Sequence, residues 1–230
     1  MTVELAILDI DGTLIDSNDA HAHAWVDACE EFGYAASFKQ VRPLIGMSGS
    51  MVTRALTSQG ASDPKGERLQ RRRAEIFRKH YLPGLDATPG ARALLTRLKD
   101  DGIGCIVATS ASPDDVAALL AQAGVDDLIK KASAGADVDA SKPAPDIVQA
   151  ALTQAACPAW QALMLGDTPY DIDAAIKAGV SIIALRCGGW WSDQDLRAAH
   201  AILDDPAALL ERYHQSPFAP KSESGFDRRD

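Results

Sequence analysis

Residues 4–14 decide the fold and read Glu-Leu-Ala-Ile-Leu-Asp-Ile-Asp-Gly-Thr-Leu. The first half of this stretch is apolar, which predicts a short buried strand. The second half brings Asp9 and Asp11, separated by one residue, to the end of that strand. Strand alternation places both carboxylates on the same side of the backbone. Two such close carboxylates repel each other unless a cation, a proton or water relieves the charge. The stretch is therefore a candidate cation site, and an acidic, solvated turn is the alternative.

The bulk properties exclude several classes of protein. A chain of 230 residues can form one large domain, or one domain with an insert. Its net charge of −9 argues against a general nucleic-acid binder. The sequence predicts neither a membrane-spanning segment nor a signal peptide. The four cysteines lie far apart without C-x-x-C spacing, which favours reduced thiols and a cytoplasmic location.

Helical periodicity without a strand pattern runs from residue 16 to residue 85. We expect helices near residues 17–32, 37–43, 48–57 and 64–81. This segment is predicted to be an inserted all-helical cap domain.

From Thr88 onward, predicted helices alternate with predicted strands at 103–108, 128–131, 162–165, 180–185 and 201–203. Strands that are apolar on both faces are typical of a parallel sheet covered on both sides. The predicted fold class is thus α/β: a Rossmann-like parallel sheet core with helices on both faces, formed by residues 1–15 and 86–215, plus the inserted cap. Residues 216–230 mix proline, serine and charge without periodicity and are predicted to be a disordered tail.

Polar residues follow several of these strands, where open α/β sheets bind ligands. Thr109 and Ser110 follow the second strand, Asp167 and Asp171 follow a later one, and Lys142 lies in the loop before a helix. Several carboxylates without matching arginines favour a divalent cation, and magnesium is the usual one beside a phosphate. Thr109, nearby backbone N–H groups and Lys142 suit a tetrahedral anion.

Purely structural alternatives stay open for most of these residues. Thr109 and Ser110 could only lead into a helix cap at Ser112. Lys142 could be a solvated loop lysine, and Asp171 could serve only the capping box of its helix.

In order and spacing, these elements resemble the four motifs of the haloacid dehalogenase superfamily. The matching stretches are residues 9–13, 107–110, 142–146 and 166–171. The resemblance covers residues 1 to 212, and it is similar to the branch of phosphoglycolate phosphatases, sugar-phosphate phosphatases and β-phosphoglucomutase.

The resemblance implies a Mg²⁺-dependent phosphatase that acts on small phosphorylated metabolites, of sugar phosphate or phosphoglycolate type, through an aspartyl-phosphate. Asp9 would attack the phosphorus. Asp11 would protonate the leaving oxygen and then activate water. Thr109, Ser110 and Lys142 would hold the phosphoryl oxygens.

The resemblance also implies the metal ligands. Mg²⁺ would be held by the carboxylates of Asp9 and Asp167 and by the backbone carbonyl of Asp11, with Asp171 close by. An aspartate at position 11 argues against a true dehalogenase or a phosphonatase of the superfamily.

A sugar-phosphate mutase is the alternative activity, because residues 16–25 resemble the first cap helix of β-phosphoglucomutase. Residues 44–50, however, hold neither the lysine nor the arginine with which that mutase binds a second phosphate. Hydrolysis is therefore favoured. A catalytically silent phosphate-binding protein is a third hypothesis, which the presence of both Asp9 and Asp11 disfavours.

Two cap residues are further candidates: His21 to support Asp11 from the hinge, and Arg42 to contact substrate. The basic run at residues 65–79 could steer anions, but a solvated helix face is favoured. Residues 188–191, Gly-Gly-Trp-Trp, either flank the site, or their two tryptophans cover the sheet edge, which is the favoured interpretation. The expected partner is a small phosphorylated metabolite, with no nucleic acid or membrane, and the chain is expected to be a monomer or homodimer.

Overall fold

The computed structural model of the chain describes residues 2–57, 63–129, 132–134 and 142–219, the segment 132–134 by its backbone only. Within these residues, the core is a six-stranded sheet whose neighbouring strands are all parallel. The strands are β1 (Leu5–Leu8), β2 (Gly104–Thr109), β3 (Ala132–Ala134), β4 (Ala162–Gly166), β5 (Ser181–Leu185) and β6 (Ala201–Leu203). The predicted α/β class and parallel sheet are confirmed.

The strand order places β1 in the middle of the sheet. It runs β3-β2-β1-β4-β5-β6, so the order reverses between β1 and β4, where open α/β sheets bind ligands. Leu8, the last residue of β1, pairs with Val107 of β2 and Leu165 of β4. Because these strands are in register, the residues that follow them meet at one edge.

The helical insert lies between β1 and the rest of the core. Its helices are α1 (Asn18–Glu31), α2 (Phe38–Val41), α3 (Gly49–Thr57) and α4 (Pro64–Ile76), and α4 continues as a wider helical turn, Phe77–Tyr81. The chain enters and leaves the insert side by side, because the Asp16 N–H donates to the Asp86 carbonyl at 3.0 Å. Helix formation here follows the predicted spacing, whereas the division into two domains at residues 15/16 and 85/86 stays a prediction.

The remaining helices cover both faces of the sheet. They are α5 (Ala91–Asp100), α6 (Pro113–Gln122), α7 (Asp146–Ala155), α8 (Pro169–Lys177), α9 (Asp193–Leu196) and α10 (Pro206–Glu211). Helices α5, α6 and α10 pack into one apolar cluster, and α7, α8 and α9 pack into a second. Ala6 and Leu8 of β1 enter the first cluster, and Leu5 and Ile7 enter the second. This alternation is why the strands are apolar at every position.

The prediction for the third strand is wrong in position. A strand is predicted near 128–131, but Leu128 and Ile129 form no strand and β3 spans Ala132–Ala134. Residues 130 and 131 lie outside the described residues. The Leu128 and Ile129 N–H groups both donate to the Val125 carbonyl, so these residues form a turn after α6. Ile129 is buried in the first apolar cluster, so its apolar character serves packing and not a strand.

The predicted tail also needs a correction. Phe218 is buried and stacks on Tyr213 with ring centres 6.4 Å apart. The prediction of disorder from residue 216 is therefore wrong for residues 216–219. Residues 220–230 lie outside the described residues.

Two further observations concern sequence features. None of the four cysteines forms a disulfide. In the part of the chain that the structure describes, no helix combines the length and apolarity needed to cross a membrane.

Leu163→Ala will lower the free energy of unfolding by about 2–5 kcal/mol, because the side chain is buried in the first cluster and its loss leaves a cavity. The control is Ile176→Ala on α8, whose side chain is 52% exposed; it should change the value by less than about 0.5 kcal/mol. Urea unfolding followed by circular dichroism measures both. Equal losses in the two variants would contradict the packing described for β4.

Candidate active site

Asp9 and Asp11 leave β1 at the edge where the strand order reverses. The Asp9 N–H donates to the Leu165 carbonyl at 3.0 Å, which continues the pairing with β4 beyond the last strand residue. Gly12 follows with a φ of 76°. A Cβ at Gly12 would overlap the Asp167 carboxylate. This turn therefore requires glycine both for its backbone angle and for space.

Three buried carboxylates, those of Asp9, Asp167 and Asp171, lie together beyond β1 and β4. Each offers an oxygen, and these oxygens lie within 4.8 Å of one another. Lys142 Nζ contacts Asp9 Oδ1 and lies 2.7 Å from Asp171 Oδ1. Among the described residues, one ammonium thus faces three carboxylates. The structure brings these predicted residues together, while the roles assigned to them stay predictions.

Burial and mutual repulsion make this cluster difficult to ionise. Burial raises the pKa of Asp9, and Asp171 and Asp11 raise it further, although Lys142 opposes them. Burial likewise raises the pKa of Asp167 well above its usual range, and Asp171 and Asp9 add to the effect. Burial would lower the pKa of Lys142, but Asp171 and Asp9 outweigh burial and raise it. A bound cation would relieve this repulsion.

Asp171 also caps helix α8. Its N–H donates to Thr168 Oγ1 at 3.2 Å, and its Oδ2 accepts from the Thr168 N–H at 3.0 Å. Pro169 then starts the helix with the φ that the first turn needs. Asp171 therefore caps α8, as the structural alternative in the sequence analysis allowed. Its Oδ1 also contacts Lys142.

Asp167 is held in place from three sides. Asn18 Nδ2 donates to Asp167 Oδ2 at 2.8 Å, and Thr13 Oγ1 donates to Oδ1 at 3.4 Å. A Cβ at Gly188 would overlap the same carboxylate. Gly188 therefore flanks the site, while the favoured interpretation, that the tryptophans cover the sheet edge, does not concern this residue. Trp191 packs against the second apolar cluster.

Asp11 has a different environment from Asp9. Ser17 Oγ donates to Asp11 Oδ1 at 2.5 Å, and His21 Nε2 lies 2.8 Å from the same oxygen. Burial alone would raise the pKa of Asp11, but His21 and Ser17 outweigh it and lower the pKa. Arg73 Nη1 lies 3.3 Å from His21 Nδ1. His21 thus lies between Asp11, whose carboxylate accepts hydrogen bonds, and Arg73, whose guanidinium donates them.

A cavity of about 60 Å³ lies between the core and the insert. Its core wall includes Asp9, Asp11, Thr109, Ser110, Ala111 and Asp115, and its insert wall includes His21, Trp25, Ile45, Gly46, Met47, Gly49, Val52 and Arg73. Ser110 Oγ donates to the Gly46 carbonyl at 3.4 Å and so joins the two walls. Lys142, Asp167 and Asp171 are not among the residues that line it. The cavity thus opens onto Asp9 and Asp11 and has one wall from each part of the chain.

Arg42 is not among the described residues that line this cavity. Its side chain is buried, and its Nε donates to Asp19 Oδ1 at 2.6 Å. Its Nη2 donates to the Gly188 carbonyl, and the guanidinium lies 5.7 Å from the centre of the Trp190 ring. These contacts join the insert to the loop beside Asp167. The structure does not bring Arg42 to the cavity, and a substrate contact by this residue stays a prediction.

Sequence reasoning missed Ser17, Asn18, Arg73 and Asp115 as site residues. Ser17 and Asn18 stand at the start of α1, but the Ser17 side chain makes no cap bond and donates to Asp11 instead. Arg73 did carry a signal: it shares the buried face of α4 with Leu69 by i,i+4 spacing. The many charges around it made a solvated face the favoured interpretation. Asp115 carried no signal beyond its place in the first turn of α6.

Comparison with known proteins extends these observations. The family model of haloacid dehalogenase-like hydrolases matches residues 6–185. A phosphoglycolate phosphatase from Rhodospirillum rubrum is 33% identical over 211 residues, which are 88% of this chain and 88% of that protein.

Solved structures share the fold. A hydrolase from Pseudomonas syringae superposes with a TM-score of 0.86 at 28% identity, over 96% of this chain and all of that chain. A β-phosphoglucomutase from Clostridium difficile superposes with a TM-score of 0.80 over 94% of this chain and 97% of that chain. Its identity is 18%, so this second likeness concerns the fold alone. With its strand-end carboxylates, helical insert and matched residues 6–185 taken together, the chain belongs to the haloacid dehalogenase-like hydrolase family.

Proposed function

We propose that this chain is a phosphatase that hydrolyses phosphate monoesters of small metabolites, of sugar phosphate or phosphoglycolate type, with Mg²⁺ as its cofactor. The observation that carries the proposal is the contrast between two neighbouring carboxyl groups at the cavity. Asp9 is surrounded by other carboxylates and one lysine, whereas Asp11 is held by a serine and a histidine. Family membership and the relative named phosphoglycolate phosphatase support the same reaction class.

Asp9 is the proposed nucleophile. A carboxylate oxygen of Asp9 attacks the phosphorus, the bond from phosphorus to the ester oxygen breaks, and an aspartyl-phosphate forms. The contact with Lys142 orients the Asp9 carboxylate. Lys142, Thr109 and Ser110 would hold the phosphoryl oxygens while charge shifts between them.

Asp11 is the proposed acid and base. It gives a proton to the leaving oxygen, and in the second half of the reaction it takes a proton from the water that attacks the aspartyl-phosphate. His21 and Ser17 favour the ionised form of Asp11, which suits the second half. The negative charge of an incoming phosphate ester opposes their effect and favours the protonated form that the first half needs.

The carboxylate cluster fits a hard divalent cation. Asp9, Asp167 and Asp171 supply oxygen ligands, as Mg²⁺ prefers, and the backbone carbonyl of Asp11 is the fourth proposed ligand. When bound, Mg²⁺ would neutralise excess carboxylate charge and allow a phosphate dianion to approach Asp9. His21 is proposed to position Asp11, and residues 16–85 to act as the cap that excludes water. We further propose a cytoplasmic enzyme that is a monomer or homodimer.

Asp9→Asn will lower the rate of phosphate release from p-nitrophenyl phosphate by more than about 10³-fold, because the amide cannot serve as the nucleophile. The matched control is Asp173→Asn, an exposed carboxylate in α8, which should leave the rate unchanged. Circular dichroism checks that both variants fold. Activity that survives the Asp9 substitution would exclude Asp9 as the nucleophile.

Removal of divalent cations with EDTA will abolish phosphate release, and Mg²⁺ will restore it. Burial raises the pKa values of Asp9 and Asp167, so protons compete with the metal for these oxygens. Binding should therefore release protons and weaken as the pH falls, for example from about 8 to about 6. Calorimetric titration with Mg²⁺ in two buffers of different ionisation enthalpy measures both effects. Equal affinity at the two pH values would contradict this set of ligands.

Any turnover of β-glucose 1-phosphate should give inorganic phosphate as the phosphorus-containing product and no glucose 6-phosphate. Residues 44–50 offer no lysine or arginine for a second phosphate, so a sugar bisphosphate intermediate would not be retained. Phosphorus NMR distinguishes the two products. Accumulation of the 6-phosphate would favour the mutase alternative.

A further inference from the structure

The cavity wall opposite Asp9 and Asp11 carries little that could bind sugar hydroxyls. A leaving group attached to a phosphate at Asp9 would face the insert wall, where the apolar side chains of Trp25, Ile45, Met47 and Val52 lie beside His21 and Arg73. A polyhydroxylated group would lose its hydrogen bonds to water there without regaining them from these apolar side chains. The wall therefore disfavours sugars as leaving groups.

The volume leads to the same conclusion. A bound water molecule needs about 10–15 Å³ of cavity volume. The cavity of about 60 Å³ therefore holds roughly four to six atoms of the size of a water molecule. A phosphoryl group already occupies most of this volume. Little volume is left beside it, so the cavity favours a small leaving group over a sugar ring.

Arg73 supplies a guanidinium to the same apolar wall. Its Nε is buried and has no hydrogen-bond partner among the described residues. Its Nη1 reaches His21 Nδ1 at 3.3 Å, and its guanidinium lies 5.3 Å from the centre of the Trp25 ring. Burying an arginine with a donor left unpaired is unfavourable, so a missing acceptor is expected in the cavity.

The acids near Arg73 already have other partners. Asp11 accepts from Ser17 and His21. Asp115, which also lines the cavity, accepts from Arg78 Nε at 2.6 Å. Burial lowers the pKa of Arg73, against the attraction of Asp115 and Asp11, but an arginine stays charged throughout the physiological range. In the part of the chain that the structure describes, no carboxylate is paired with Arg73 alone, and its positive charge faces the cavity.

We propose that Arg73 is the specificity-determining residue of the leaving-group site, and that it selects short phosphate monoesters whose leaving group ends in a carboxylate. This inference rests on the proposed phosphatase function and assigns its substrate choice to one side chain of the insert. A carboxylate supplies the acceptors that the Arg73 donors lack and fits the guanidinium geometry.

The test uses a matched pair of esters and three variants. The substrates are the phosphate monoester of a two-carbon hydroxy acid and its neutral amide, which has the same size without the charge. The variants are Arg73→Met, Arg73→Lys and the control Arg71→Met, whose side chain is exposed on the same helix. Phosphate release gives kcat and KM for each ester, and thermal unfolding monitors the fold.

The wild-type enzyme should prefer the carboxylate ester by about tenfold to a hundredfold in kcat/KM, as expected for one hydrogen-bonded charge. Arg73→Met should remove this preference, mainly by raising KM for the carboxylate ester, whereas any loss of kcat that acts through His21 and Asp11 should be the same for both esters. Arg73→Lys should keep part of the preference, because it keeps the charge, and Arg71→Met should keep all of it.

Other outcomes overturn the inference in recognisable ways. Equal wild-type kcat/KM for the two esters would exclude anion selection, and this measurement needs no variant to fold. An equal loss on both esters in Arg73→Met would mean that Arg73 only positions His21 and Asp11. If neither ester nor p-nitrophenyl phosphate is hydrolysed in an Asp9-dependent way, the proposed function itself fails.

Discussion

The excess of buried negative charge at the carboxyl edge of the sheet is the constraint on which the site depends. Asp9, Asp167 and Asp171 converge within a few ångströms, and Lys142 balances only part of their charge. Taking carboxylates out of water is costly unless a counter-charge accompanies them. The fold maintains this arrangement because the strands that present Asp9 and Asp167 are fixed in register at the centre of the sheet. A stable core thus supports a locally unfavourable cluster, as is common at catalytic sites.

Backbone packing around the cluster is as specific as its charges. Gly12 and Gly188 lie so close to Asp167 that neither position has room for a side chain. The Gly188 carbonyl also accepts from Arg42, which comes from the insert. The same loop therefore contacts a proposed metal ligand and the cap. Through this loop, Arg42 of the insert and Asp167 of the carboxylate cluster share Gly188 as a neighbour.

Predictions from the sequence are correct for the strands and helix starts whose structure depends mainly on neighbouring residues. The residues of β1, β2, β4 and β5 are apolar on both faces, and they form central strands. Capping patterns at Ser37, Ser112 and Thr168 mark helix starts that the structure contains. The wrong predictions have one cause, which is tertiary packing between residues that are distant in the sequence. Leu128 and Ile129 looked like a strand but pack as a turn, and Phe218 lies in a segment of disordered composition but is buried against Tyr213.

By itself, the sequence determined the fold class and the strand ends that carry acids, and its resemblance to a known family indicated the reaction class. These follow from periodicity and short motifs, which depend on neighbouring residues. Only the tertiary structure decided which distant side chains meet. In the structure, Arg42 contacts Asp19 and the Gly188 carbonyl. Ser17 and His21 contact Asp11. Arg73, which lies in a basic helix, lines the cavity. The physical reason is that a long charged side chain reaches several partners from one backbone position. Its environment is set by the packing of α1 and α4 over the sheet and cannot be deduced from its neighbours in the chain.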